Sequence, residues 1–191
     1  MSEAVRINEW QTLHYSDPEP ELIRLREVEV AIAARVPDSK VRSLRTHSLS
    51  YDRQRREAAL FCYGIRSALG TKVYYSFVEK EDYDFVALWR RDDTRVFTPV
   101  QLKEFVPEDL NPRDSLYRVL AGLAKYVNSK DLVVAIHINR EMRLKFEDIV
   151  VPNLPVAQVW LFGALRPDQS KWMLFGNLLG ERSYHEFDYP S

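Results

Sequence analysis

A single cysteine, Cys62, stands in 191 residues, so no disulfide can form within the chain. That scarcity suits a reducing compartment, expected to be the cytoplasm. Every run of uncharged apolar residues is shorter than the roughly 18 needed to cross a bilayer, so no membrane span is expected. The opening residues, MSEAVRINEW, lack the basic start and apolar stretch of a signal peptide. The six glycines form no Gly-rich phosphate loop, which argues against nucleotide hydrolysis. His14, His47, His137 and His185 are scattered without metal-ligand spacing, so no zinc site can be read from them. An excess of either charge is also missing. There are 27 basic and 28 acidic residues for a net charge of −1, and the chain as a whole does not call for a polyanionic partner.

The sequence is richer in core material. Apolar residues make up 46% and aromatics 12%, ample for one hydrophobic interior, and the length suggests one domain over 1–191. Charge is unevenly placed. Residues 1–39 are acid-rich, whereas Lys40, Arg42, Arg45, Arg53, Arg55 and Arg56 face only Asp52 over 40–56. Such a local basic stretch can meet phosphates, and a solvated charged face explains it equally well.

Leu22, Leu25, Val28 and Ile32 follow the helical period and predict a helix over about 19–35, stopped by Pro37. A polar loop follows. SYDRQRREAALFCYGIRSALG predicts a second helix, with Ser50 as N-cap and Gly70 at its C-terminal end. KVYYSFVEK, DYDFVALWR and RVFTPVQLKEF are strand-like, and the short breaks between them imply antiparallel neighbours. NPRDSLYRVLAGLAKYVNSK predicts a third helix, capped by Asn111 with Pro112 in its first turn. LVVAIHI predicts a strand covered on both faces. The segment 155–180 predicts a hairpin turning at Arg166-Pro167-Asp168-Gln169, and the last eleven residues are expected to be loose.

Polar residues on the third strand-like run raise a question of purpose. Gln101 and Lys103 are two apart, so they share a strand face, and Glu104 points the other way. A hairpin turn centred between Asp92 and Asp93 sets Asp84 opposite Gln101 and Asp82 opposite Lys103. Pro99 donates no hydrogen bond and marks an edge or a bulge in this register. On the second helix, Leu60, Phe61, Gly64 and Ala68 all fall within about 60° of Glu57, which puts a carboxylate in the middle of the apolar stripe. Such a group needs a partner, and Lys103 or a metal ion could serve. A structural ion pair or a frayed first turn would also account for it.

The element order and these residues resemble the PD-(D/E)XK nuclease superfamily, in a Q-x-K form. The resemblance covers roughly 50–138 and rests on Glu57, Asp84 in DYDFVAL, and Gln101 with Lys103 in VQLKEF. It implies an α/β, restriction-endonuclease-like αβββαβ core with a mixed sheet flanked by helices. An N-terminal helical extension over 1–49 and the C-terminal hairpin would be added to it. Tyr83 stands where the family often has Pro, and Gln101 replaces the usual acid.

The implied activity is metal-dependent hydrolysis of phosphodiester bonds, DNA in the first instance, in restriction, repair or a mobile-element context. Asp84, Gln101 and the backbone carbonyl of Leu102 would hold Mg²⁺ or Mn²⁺, Lys103 would act on the attacking water, and Glu57 would complete the catalytic set. Arg53, Arg45 and Arg42 are candidate nucleic-acid contacts, though Arg53 could instead pair with Glu57 one turn on. The implied partner is a nucleic acid, DNA in the first instance, met by a homodimer or a larger complex, and no membrane. Tyr117 and Lys125 could face substrate or simply pack and solvate. Cys62 lies about 140° around the helix from Glu57, away from the proposed site, as a buried small residue. The alternative function is a catalytically silent nuclease-like domain serving as a binding or assembly module. A third reading is an α/β interaction protein with an exposed polar edge.

Overall fold

The computed structural model describes residues 3–35, 50–78, 80, 82–127 and 129–191. Helices α1 (Glu3–Gln11), α2 (Pro18–Arg35) and α3 (Ser50–Leu69) precede strands β1 (Val73–Phe77), β2 (Phe85–Arg91) and β3 (Thr94–Phe105). Helix α4 (Leu116–Ala121) leads into β4 (Ser129–Ile138), then β5 (Val156–Ala164), β6 (Lys171–Gly176) and β7 (Ser183–Asp188). The seven strands form one mixed sheet in sequence order. β1, β2 and β3 are antiparallel neighbours, β4 and β5 continue in parallel, and β6 and β7 return antiparallel. No helix among the described residues is long and apolar enough to cross a membrane.

Strand alternation divides the sheet into two apolar faces. On one, Leu22 of α2 and Ala58, Leu60, Phe61, Cys62 and Ile65 of α3 pack on Phe85, Val100, Leu102, Ala135 and Phe162. On the other, Trp10 of α1 and Leu116, Leu120 and Leu123 around α4 pack on Val86, Phe105, Val134, Ile136 and Leu161. LVVAIHI is buried throughout because it feeds both cores, as its unbroken apolar run implies.

The β2–β3 hairpin keeps the expected register from Phe85↔Val100 to Arg91↔Thr94. Pro99 causes no slip; it sits opposite Val86 in an uninterrupted pairing. Gly70 ends α3 with φ +64° and returns its N–H to the Arg66 carbonyl, as a C-terminal glycine should.

Three expectations are corrected and one helix is added. The N-terminal segment carries a helix, α1, that the sequence reading passed over; Trp10 anchors it by burying its ring and donating to Tyr83 Oη at 2.9 Å. The third helix is shorter than its sequence suggested. Ser115, not Asn111, is its N-cap, accepting from the Arg118 N–H at 3.2 Å, and Pro112 lies in the preceding turn. After Ala121 the chain tightens into a 3₁₀ turn over Gly122–Lys125. The C-terminal hairpin does form as β5 and β6, yet the residues after it are not loose. They make β7, whose buried Phe187 packs so closely on α3 that a Cβ at Gly64 would meet its ring at 2.6 Å.

Candidate functional site

Asp84 lies just before β2, where the antiparallel ladder ends. Its N–H donates to the Val100 carbonyl at 2.9 Å, and its carboxylate accepts the Leu102 N–H at 2.6 Å. The carboxylate therefore closes the edge of β3 beyond the last paired residue. The Gln101 amide donates to the same carboxylate oxygen, and its nitrogen also lies 3.3 Å from the Leu102 carbonyl. Turning that amide over would present its oxygen to the same point. So Asp84, Gln101 and the Leu102 carbonyl converge as the sequence suggested.

Lys103 shares the Gln101 face. Its ammonium stands 5.7 Å from the Tyr126 ring centroid, and the Lys125 ammonium stands 5.5 Å from the same ring. Burial pushes the Tyr126 hydroxyl above the usual tyrosine range; Lys125 draws it back and the Asp84 charge adds to the rise. Asp82 is exposed.

Glu57 does not join this group. α3 packs on the opposite face of the sheet, so the expectation that Glu57 faces Asp84, Gln101 and Lys103 is corrected. Glu57 is buried in the apolar stripe, as the helical wheel required. Its partner there is His137 of β4, with Nδ1 3.1 Å from a Glu57 carboxylate oxygen. Glu104 of β3 reaches the same place. Parallel pairing sets Glu104 beside His137, and Glu57, Glu104 and His137 offer ligand atoms all within 4.8 Å of one another. This Glu-Glu-His group could hold a metal ion.

Its surroundings are ordered. Asn139 donates to Glu104 at 2.7 Å, and Arg53 Nη1 lies 3.4 Å from the other Glu104 oxygen. Arg53 thus bridges α3 to β3 through Glu104 rather than pairing with Glu57 one turn on. His137 stacks on Phe162 with centroids 5.0 Å apart and planes 14° from parallel. Arg42 and Arg45 lie outside the described residues. Cys62 is fully buried, and burial pushes its thiol far up, which keeps it a neutral packing residue.

The Glu57–Glu104–His137 group escaped the sequence reading because it joins three elements through a parallel strand register that no local pattern encodes. Two signals were present. His137 is the single polar residue of LVVAIHI, and Glu104 lies one residue out of phase with Gln101 and Lys103, hence on the helix α3 side. Comparison with family models, curated protein sequences and solved structures finds no match for this chain.

Proposed function

We propose that this protein is a metal-dependent nuclease of the PD-(D/E)XK type, hydrolysing phosphodiester bonds in DNA. The observation that carries the proposal is the convergence of the Asp84 carboxylate, the Gln101 amide and the Leu102 carbonyl, with Lys103 on the Gln101 face. The run α3, antiparallel β1–β2–β3, α4 and a β4 parallel to β3 supports the αβββαβ core that the resemblance implies.

The donors are a carboxylate, an amide and a carbonyl, all hard oxygen once the Gln101 amide is turned over, and they suit Mg²⁺ or Mn²⁺. When bound, such an ion supplies Lewis acidity and a stronger nucleophile from water. Asp84 supplies the anionic ligand. Gln101 contributes a neutral one, leaving the site one formal charge short of the acidic form. Lys103 offers its ammonium to the attacking water and to the charge that grows on the phosphate oxygens. The adjoining Lys125 adds positive charge on the same face. Glu57 has no part in this chemistry, because the sheet separates it from Lys103.

The test is cleavage of single- and double-stranded DNA with Mg²⁺ and Mn²⁺. Wild type should cut, and Lys103→Ala should lose on the order of 100-fold in rate or more while keeping its circular dichroism. Gln101→Glu restores the acidic form and should hold or raise activity. A catalytically silent module is the competing reading. It is favoured by the hydrogen bonds that already occupy the Asp84 carboxylate. Inertness of both wild type and Gln101→Glu on varied DNA and RNA would select it.

A further inference from the structure

Glu57, Glu104 and His137 form no part of the proposed nuclease site, and their chemistry points to a different ligand. Two carboxylates and an imidazole meet within 4.8 Å at the junction of α3, β3 and β4. Glu57 and His137 are each only 6% exposed. A buried carboxylate is costly unless paired, and here the buried Glu57 shares one small volume with the half-buried Glu104. A divalent ion between the Glu57 and His137 side chains would offset the buried carboxylate and could draw in Glu104 as well.

We propose that Glu57, Glu104 and His137 form a second metal site, selective for a divalent ion of the zinc and cobalt class. Selectivity follows from the donors. Imidazole suits zinc, copper, nickel and iron, whereas magnesium prefers an all-oxygen set such as that of Asp84. The supporting contacts are those a metal site needs. Asn139 and Arg53 each hold one Glu104 oxygen, and Phe162 fixes the plane of the His137 ring.

The site also has an approach. His137 and Asn139 line an open pocket of about 480 Å³ together with Arg140, Arg166, Gln169 and Trp172. Three protein ligands leave at least one coordination position of a tetrahedral ion open. The rim of that pocket carries Arg140 and Arg166 beside Glu108 and Glu141, so its charge is balanced and water is the natural further ligand. The ion ties the buried face of α3 to the carboxyl ends of two parallel strands, where open α/β sheets commonly bind ligands.

The experiment uses the full chain carrying Asp84→Ala, so that the other site contributes nothing, stripped with chelator and titrated with Co²⁺. One equivalent should bind, produce the visible absorption of a nitrogen- and oxygen-ligated cobalt centre, and be displaced by Zn²⁺. Asn139→Ala should weaken binding roughly 10–100-fold, and Glu104→Gln should weaken it further while circular dichroism stays native. His137→Ala is a secondary variant, because losing a buried partner can unfold the chain by itself. No cobalt absorption, or absorption that survives Glu104→Gln in folded protein, would overturn the proposal. The nuclease reading fails separately, through the activity of wild type and Gln101→Glu.

Discussion

The carboxyl end of β3 presents different chemistry to the two sides of the sheet. On the α4 side, Gln101 is buried between the half-buried Asp84 and Lys103, and Asp84 and Gln101 both bond to the Leu102 backbone. On the α3 side, Glu57, Glu104 and His137 are recessed among aromatic rings and bond to one another and to Arg53 and Asn139. The first set holds the Lys103 ammonium beside the Tyr126 ring. The second is built into the packing of α3. Two adjacent residues, Lys103 and Glu104, therefore serve opposite faces, and one residue of strand phase decides which.

That difference predicts unequal costs. The largest belongs to the buried side. Glu57→Ala strands His137 without its partner and should cost about 3 kcal/mol or more, read as a lower urea midpoint. An unchanged midpoint would mean that the pair does not anchor α3. Lys103→Ala should cost the fold only about 0.5–1 kcal/mol, the value of an ammonium over an aromatic ring, while lowering cleavage on the order of 100-fold. The two variants thus separate stability from activity.

A smaller effect is expected at Arg53, whose side chain is more than a quarter exposed. Arg53→Ala should cost under about 1 kcal/mol in a salt-sensitive way. A loss as large as that for Glu57→Ala would show the two acids sharing one network. The smallest effect is alkaline. Burial raises the Tyr126 hydroxyl in the folded state, so the unfolded chain loses its proton first. Its contribution is complete below the ordinary tyrosine pKa and is lost as pH rises through the folded-state value. Tyr126→Phe should therefore slightly flatten the alkaline decline in stability.

Local patterns carried much of this architecture. The alternation of β-branched and aromatic residues and the Asp92–Asp93 turn gave the β2–β3 register directly, and with it the meeting of Asp84 and Gln101. The helical period of α3 placed Glu57 inward. What neither pattern encodes is the sheet face on which α3 packs. A helix stripe and a strand face each say "buried", but not "against each other". Pairing Glu57 with Lys103 required that missing fact, and the parallel register of β3 with β4 supplied His137 in its place. The short α4 was misread for a related reason. Asn111-Pro112 is a good helix start by itself, but the chain uses it as a turn, and Ser115 caps the helix.

The most direct test of the account is a crystal of the protein soaked in Mn²⁺, with an anomalous difference map. The account predicts a peak bounded by the Asp84 carboxylate, the Gln101 amide oxygen and the Leu102 carbonyl, on the Lys103 face. A map with no density there, and with manganese only between Glu57, Glu104 and His137, would contradict it and move the reactive centre to the other side of the sheet.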